Sequence, residues 1–423
     1  MQYFSRFQGL GAVKVRLMSE GLSSVAEARA RILGLCAPLA GEEVDAGAAF
    51  GRTLRREIRA ARTLPPWDNS AMDGYAVRSS DLSGGGPRRL RILEAIHAGE
   101  RPRERVGPGE CSRIMTGAPM PEGADAVAMQ ERVRAHGGEV EIDLELRPGT
   151  NVRRAGEDTR AGEVLLPAGA TLGIPEAALL WAQGISRVEV HRRPTVAILS
   201  SGDELCPAGE PPGDRIVDTN SPAIAEAVRR AGGVPTLLGI ARDTLEGVLE
   251  RLASAEGHDV VITSAGVSTG DRDFVRPALE RLGVEMDFWR VAIKPGKPLA
   301  VGTRRGALYM GLPGNPVSSL VTFELFVRPA LRRLSGIADV EPPRVRGRLD
   351  GRLEKAPGIA HYVRAVARWR EGDLWAAPLP TQSSGALRSA ASATHLVEFP
   401  AEAAAAEHGS PVVLVPISWA GGA

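Results

Sequence analysis

Between Pro194 and Leu334 the chain alternates short apolar runs with amphipathic stretches, and this alternation constrains the fold more than any other feature. Residues 195–199, 237–240, 260–263 and 308–312 have the length and apolar character of buried strands. A helix is predicted from Ser221-Pro222 to Gly232-Gly233. Another follows Asp243, a capable cap, with Leu245, Val248, Leu249 and Leu252 on one stripe. Further helices are predicted over 274–282 and, as one long element, over 316–334. Strands alternating with helices predict βαβ units and a mostly parallel sheet, and such sheets bind ligands beyond the carboxyl ends of their strands.

Three loops leave that edge: Ser200-Ser201-Gly202-Asp203-Glu204, the run from Ser264 to Asp273, and Pro313-Gly314-Asn315-Pro316-Val317-Ser318-Ser319. One loop rich in Gly, Ser and Asp is ordinary turn chemistry. Three at one edge point to a site, where N–H groups at helix starts attract an anion such as phosphate. Lys294-Pro295-Gly296-Lys297-Pro298 holds two ammonium groups close together. A shared oxyanion offsets their repulsion, although a solvent-exposed turn is the plainer alternative. Asp203, Glu204, Asp218, Asp243, Asp271 and Asp273 lie at or near strand ends. Any one of them could be an N-cap. As a group beside a polyanion they call for a cation, and Mg²⁺, held by one or two carboxylates plus phosphate oxygens, fits.

The flanking regions differ. Residues 22–40 read as a helix capped by Ser24, with Val25, Ala28, Ile32 and Leu35 on one face. Arg52, Arg55, Arg56 and Arg59 have helical spacing and read as a solvated helix face that Pro65-Pro66 terminates. From about 70 to 150 the texture is β-like, with strands expected over 89–96, 126–129 and the alternating run 139–146. A helix is predicted over 174–183 with Pro175 in its first turn. The C-terminal region turns β-like again, with strands expected over 362–369 and 412–417. A chain of 423 residues suggests roughly three domains. Lys plus Arg number 52 against 51 Asp plus Glu, a balance that argues against nucleic-acid binding. No run approaches the ~18 apolar residues of a membrane span, and residues 1–20 lack the apolar core of a signal peptide. Cys36, Cys111 and Cys206 are far apart, which supports neither a disulfide framework nor a zinc cage. The expected compartment is the cytoplasm.

The motifs taken together resemble one family. The run from Pro66 to Val77 (Pro-Trp-Asp-Asn-Ser-Ala-Met-Asp-Gly-Tyr-Ala-Val), the stretch Arg113 to Pro119 around Met115-Thr116-Gly117, and Asn151 to Asp158 come first. Ser201 to Leu205, Asp218-Thr219-Asn220, Lys294 to Pro298 and Gly311 to Pro316 follow in order. The set is similar to the motif series of molybdopterin molybdenumtransferases, the MoeA family that includes the gephyrin E domain, from about residue 22 onward. The resemblance implies a multidomain α/β plus β protein, built around a molybdopterin-binding three-layer α/β domain at 194–338. It further implies a β-rich module at 61–150 inserted in a discontinuous linking domain (19–60 and 151–193), and a C-terminal β-barrel-like domain at 339–423. Residues 1–18 have no counterpart and are expected to form a disordered arm.

The implied activity is insertion of molybdenum from molybdate into adenylylated molybdopterin, with release of AMP, in a homodimer whose active site lies between subunits. A molybdopterin adenylyltransferase would supply the substrate. Carried over residue by residue, the resemblance has Asp73, Thr116 and Asp158 face the cleft from the partner subunit. Glu204, Asp218, Asp243 and Asp273 would serve Mg²⁺ and the adenylate or pterin, with Glu204, Asp218 and Asp273 as metal ligands. Lys294 and Lys297 would hold molybdate or phosphate. Gly266, Ser268, Asn315 and Ser319 would line the molybdopterin pocket, and Arg364 and Ser384 match C-terminal cleft positions. There are departures: Ala265 and Thr269 stand where Gly and Val are more usual, and Ser383 replaces a usual Gly beside Ser384. Two rival readings are an adenylyltransferase, which would have the α/β domain alone, and a non-catalytic dimeric scaffold, which would have lost the lysines or acids.

Overall fold

The computed structural model describes residues 22–265 and 274–420, apart from the Trp289 side chain. The proposed N-terminal arm, Gly266, Ser268, Thr269, Asp271 and Asp273 lie outside the described residues. The chain divides into two compact units, one formed by residues up to Ala40 together with Arg192 onward, the other by Gly41–His191.

In the first unit a six-stranded sheet runs, in spatial order, Val234–Ala241, Thr195–Ser201, Val260–Ser264, Ala307–Leu312, Pro298–Arg304, Glu285–Arg290. The first four are parallel; the last two are each antiparallel to their neighbours. The sheet is therefore mostly parallel, as the alternation predicted, with a two-stranded antiparallel extension that it did not predict. The signal existed: Met286 and Phe288 alternate with Glu285 and Asp287, and Phe288 is buried. Helices cover both faces. Ile224 and Val228 of Asn220–Arg230 pack with Val196 and Ile198 on one side. Val248 and Leu252 of Leu245–Ala253 and Leu279 of Val275–Arg281 pack with Ala197 and Leu199 on the other. This is a three-layer α/β domain.

Two details of the helices differ from the sequence reading. The 316–334 element contains a π-helical stretch, Phe323–Val327, between α-helices Pro316–Thr322 and Arg328–Leu334. Pro329 has no N–H to give the ladder, and a one-residue register shift accommodates it. Helix Val25–Gly34 has the expected Ser24 cap, reinforced by Glu27, and stops well short of residue 40. Its Ala28 and Ile32 join the same core as the α/β sheet.

The C-terminal strands Val345–Leu349, Ala360–Arg370, Asp373–Pro378, His395–Phe399 and Pro411–Pro416 close on themselves, because Ala360–Arg370 pairs both with Asp373–Pro378 and with His395–Phe399. Closure removes free strand edges over the paired segments. A short strand, Ile293–Lys294, leaves the α/β domain to pair with Ala360 and His361.

The second unit contains a six-stranded sheet in the order Ala126–Met129, Gly74–Val77, Glu110–Ile114, Arg88–Ile96, Glu139–Ile142, Arg134–His136. Apolar side chains cover both of its faces: Tyr75, Val77 and Cys111 on one, Ala76, Ile114 and Val127 on the other. Burial drives the Cys111 thiol pKa up to about 12, so this cysteine is an inert core residue. The predicted helix bearing Arg52, Arg55, Arg56 and Arg59 does not form. Thr53 and Leu54 make β-bridges instead, and the four arginines meet Glu42, Glu189 (twice) and Glu57. Regular spacing of charges recorded ion-pair partners here, not a helical period. Helix Ile174–Ala182, with Pro175 in its first turn, packs with strands Gly41–Asp45 and Arg187–His191 in a separate small core.

Candidate active site

The connection from Thr195–Ser201 leads to Val234–Ala241 on one side, and the connection from there returns to Val260–Ser264 on the other. The two flanking loops part at this point, which is where doubly wound sheets open a crevice. A hollow of about 500 Å³ lies there, lined by Ser200, Glu204, Asp218, Asn220, Ser264, Asn315, Ser318 and Pro298 among others. Glu204, Asp218 and Asn315 of the predicted set are thus brought together.

Each lining residue is held by a local rule. Asp218 is only 7% exposed, and its Oδ1 accepts the N–H groups of Asn220 (3.0 Å) and Ser221 (3.1 Å), closing the first turn of Asn220–Arg230. The Asn220 side-chain amide donates to Ser264 Oγ (2.8 Å) and to the Gly314 carbonyl (2.7 Å), pinning two loops of the sheet edge to a third. Sequence reasoning quoted Asp218-Thr219-Asn220 as a motif and gave Asn220 no role. Only the fold reveals that Asn220 spans these loops. Ser200 and Ser221 share a 2.6 Å hydrogen bond behind the hollow.

Asp243 differs from its expected capping role. Thr244 caps Leu245–Ala253, its hydroxyl accepting the Gly247 N–H at 3.0 Å. The Asp243 carboxylate accepts the Ser201 hydroxyl (3.0 Å) and the Asp203 N–H (3.4 Å), while Asp203 Oδ1 accepts the Asp243 N–H (3.2 Å). The two loops are cross-braced. Asp243 does not line the hollow formed by Glu204 and Asp218.

Lys294 and Lys297 are exposed on the segment that enters Pro298–Arg304, and Pro298 lines the hollow. Gly296 between them has φ +107°, and a Cβ there would lie 2.5 Å from the Thr322 Cγ2 and 3.7 Å from the Ser318 carbonyl. Only glycine lets this turn press against helix Pro316–Thr322, whose Ser318 also faces the hollow. The Lys297 carbonyl accepts the Val291 N–H, and Lys294 pairs in register with His361.

The other predicted residues take different positions. Ser319 is buried, and its hydroxyl has no hydrogen-bond partner among the described residues; its neighbour Ser318 is the one at the hollow. The Ser384 carbonyl accepts the Val317 N–H at 3.0 Å, which sets the 381–385 loop on the first turn of the same helix. Arg364 is 1% exposed and points into the protein. Its guanidinium donates to the carbonyls of Thr381 (2.8 Å) and Ser383 (3.0 Å) and to Ser389 Oγ (3.0 Å). It positions that loop and is not among the residues that line the hollow with Glu204 and Asp218. Ala265 occupies φ +75°, a left-handed conformation that favours glycine, and a Cβ on Gly314 would lie 3.2 Å from its own Cβ. The departure noted at this position therefore carries a strain of roughly 1 kcal/mol.

In the Gly41–His191 unit, Asp73 and Thr116 meet. The Asp73 Oδ1 accepts both the Thr116 N–H and its hydroxyl at 2.7 Å. The backbone bond, then the hydroxyl bond, hold this exposed carboxyl below its usual pKa range. Gly74, next along, sits with its Cβ position 2.1 Å from the Ala128 carbonyl, so no other residue fits that strand. Asp68 accepts from Arg154 (2.6 Å) and the Ala155 N–H (2.8 Å). Asp158 is exposed, its N–H bonded to the Leu64 carbonyl.

Among the described residues no three His, Cys, Asp or Glu side chains form a closed metal cage. Glu204 and Asp218 in one hollow fit an ion that takes one or two carboxylates and completes its shell from phosphate and water. No helix among the described residues is long and apolar enough to cross a membrane.

Comparison with known proteins agrees with this architecture. Residues 23–184 match the family model of the MoeA N-terminal region (domains I and II), residues 197–333 that of a probable molybdopterin binding domain, and residues 346–417 that of the MoeA C-terminal region (domain IV). The chain is 43% identical over 306 residues to the molybdopterin molybdenumtransferase of Nostoc sp., covering 70% of each. It is 38% identical over 344 residues to that of Haemophilus influenzae, covering 80% of this chain and 84% of the relative. The crystal structure of a molybdopterin biosynthesis MoeA protein from Pyrococcus horikoshii superposes with a TM-score of 0.82 at 29% identity, covering 94% of this chain and 100% of that one. With all three family regions in order and relatives well above 30% identity, the chain belongs to the MoeA family of molybdopterin molybdenumtransferases.

Proposed function

We propose that the chain transfers molybdenum from molybdate to adenylylated molybdopterin, releasing AMP and giving molybdenum cofactor. The observation that carries this reading is the hollow at the sheet edge, where Glu204, Asp218, Asn315 and Ser318 converge and the Lys294–Lys297 turn abuts its wall. The curated relatives are named for the same transfer.

The first turn of Pro316–Thr322 offers backbone N–H groups and the Ser318 hydroxyl to a phosphate. Water cleaves the phosphoanhydride that joins AMP to the molybdopterin phosphate, and a carboxylate such as Glu204 orients that water. Lys297, with Lys294, gathers the molybdate dianion by charge-assisted hydrogen bonds, so that the two dithiolene thiols can bind molybdenum while one oxide leaves as water with their two protons. Glu204 and Asp218, with Asp273, would hold a Mg²⁺ ion, which when bound offsets charge on the phosphates. Asp73, Thr116 and Asp158 act from the partner subunit of a homodimer, and the preset Asp73–Thr116 pair supplies a fixed acceptor there. The reading places the chain in the cytoplasm, downstream of a molybdopterin adenylyltransferase.

The purified chain, given adenylylated molybdopterin, molybdate and Mg²⁺, should release AMP and activate an apo-molybdoenzyme. Formation of adenylylated molybdopterin from ATP and molybdopterin instead would assign it to the adenylyltransferase reaction. Neither product would leave it a scaffold.

A further inference from the structure

The lysine turn, residues 291–297, connects two antiparallel neighbours of the α/β sheet, Glu285–Arg290 and Pro298–Arg304. A connection of that length does not fix two side chains by itself. Its entry is weakly guided as well: Glu285–Arg290 is the last strand of the sheet, and its ladder with Pro298–Arg304 shifts register on either side of Phe288. Contacts from outside the sheet therefore decide where Lys294 and Lys297 stand.

Those contacts converge on Ala292. Its N–H donates to the Ser23 carbonyl at 2.8 Å, and its own carbonyl accepts the Ala360 N–H of strand Ala360–Arg370 at 3.0 Å. Ser23 and Val291 form a parallel β-bridge, and the Val291 N–H closes the turn on the Lys297 carbonyl at 3.0 Å. Ser23 is in turn held by the helix it precedes. Arg31, in the last turn of Val25–Gly34, donates from Nε to Asp287 Oδ2 (2.9 Å) and from Nη2 to the Asp287 carbonyl (2.7 Å), with Oδ1 2.8 Å from the same nitrogen. Its Nη1 lies 3.5 Å from the Ser23 hydroxyl, and the guanidinium sits 5.0 Å over the buried Phe288 ring. One planar group thus ties the edge strand to the segment that holds Ala292. A fork of this kind fixes direction as well as distance.

We propose that Arg31, with Asp287, is a positioning residue for molybdate: it sets the point at which the edge strand hands over to the lysine turn, and so the placement of the Lys294 and Lys297 ammonium groups. The proposal rests on the reading that these lysines hold molybdate. Arg31 acts through Ser23 and the Ala292 peptide. Charge-assisted hydrogen bonds to a small dianion tolerate little displacement, so a turn released from this tie loses molybdate affinity first. Asp218 and Asn220 in the hollow are braced by contacts that do not include Arg31, and a ligand there should not feel the change.

Steady-state kinetics and calorimetric molybdate titration of Arg31→Ala in the full chain test this, with Lys297→Ala as reference. Arg31→Ala should raise the molybdate KM and Kd about tenfold and leave kcat and the KM for adenylylated molybdopterin within about twofold. The unfolding midpoint should stay near native, since the Arg31 and Asp287 side chains are 37% and 32% exposed. Arg31→Lys should recover part of the affinity, because one ammonium reaches the Asp287 carboxylate without also reaching its carbonyl and Ser23. Asp287→Ala should act in the same direction, and the double variant should be no worse than Arg31→Ala alone. Amide exchange gives a readout independent of turnover: the Ala292 N–H should exchange about tenfold faster in Arg31→Ala. If Arg31→Ala does not fold, Arg31→Lys and Asp287→Ala carry the same comparison. An unchanged molybdate KM in Arg31→Ala beside a raised one in Lys297→Ala overturns the positioning role and leaves the lysine reading standing. A joint loss in kcat, both KM values and the unfolding midpoint makes Arg31 structural and overturns it too. Unchanged molybdate affinity in Lys297→Ala sinks the lysine reading instead, and exchange at Ala292 then still decides whether Arg31 holds the turn.

Discussion

Asp218 and Asp73 are held in opposite ways. Asp218 is buried at a sheet edge, and its carboxylate completes a helix start, so its place follows from the topology of the α/β domain. Asp73 is exposed on a turn, and its carboxylate is fixed by the main chain and hydroxyl of one residue, Thr116. The first arrangement ties the hollow to folding, because the group that lines it also supports an element. The second presets an exposed carboxylate without asking the fold to depend on it. Acids of the first kind should therefore register in stability as well as activity, and acids of the second kind in activity alone.

The strongest challenge to that contrast is at Arg364, the most deeply embedded charge near the site. Arg364→Ala takes a donor from the Ser383 carbonyl, leaves the Thr381 carbonyl with the Ser389 hydroxyl alone and opens a cavity, and should cost about 3 kcal/mol or more in urea unfolding. Arg364→Lys should recover only part of this, since an ammonium in place of Nη2 has no second nitrogen to reach the Ser389 hydroxyl as Nε does. A loss below about 1 kcal/mol in Arg364→Ala would show that the loop is not held as described. Lys297→Ala lies at the other extreme. The side chain is exposed, so stability should move by less than about 0.5 kcal/mol, whereas molybdenum insertion should fall about a hundredfold. A variant with native rates would remove the lysine turn from the site.

The contrast itself is sharpened by a matched pair. Asp218→Ala should lower stability by about 1 kcal/mol, as loss of a helix-start acceptor does, and Asp218→Asn should keep most of that stability while still losing activity. Asp73→Ala should leave the unfolding midpoint nearly unchanged, because the freed Thr116 N–H faces water. Equal stability losses at the two sites would break the distinction.

A pH-dependent effect concerns His361, paired in register with Lys294. Burial, followed by the charges of Lys294, Lys355 and Arg364, pushes its pKa down from 6.5 to about 4. Other groups on the packed elements are Phe399, opposite His361 on the neighbouring strand, and Glu398 beside it, opposite Tyr362. The unfolded chain binds this proton near pH 6.5 and the folded chain only near 4. The stability contribution of neutral His361 is therefore complete above 6.5 and is lost as pH falls toward 4. His361→Gln should flatten the unfolding midpoint over that window. An unchanged pH profile would contradict the placement of His361 among those cations.

Much of the embedded region was legible in the sequence and less of the preset one. Alternating apolar runs and stripes predicted the α/β layers because each strand and helix buries a face of its own. Asn220, the residue that ties three loops together, gave no signal, since its partners Ser264 and Gly314 are far off in sequence. Arg364 matches a cleft position by resemblance, and the structure adds that its buried guanidinium holds the 381–385 loop, which no local pattern encodes. At Asp243 a cap was expected, and the next residue, Thr244, took the role because the acid had a better partner in Ser201 across the sheet edge. In the Gly41–His191 unit, arginines at helical spacing looked helical and proved to pair with Glu42 and Glu189 of other strands and with Glu57 in their own segment.

The most direct test is a crystal of the protein soaked with molybdate and measured at the molybdenum absorption edge. A single anomalous peak within hydrogen-bond reach of the Lys297 ammonium, at the mouth of the hollow lined by Glu204, Asp218 and Asn315, is the predicted result. A peak held by other groups, with Lys294 and Lys297 pointing to bulk water in an active preparation, would contradict it.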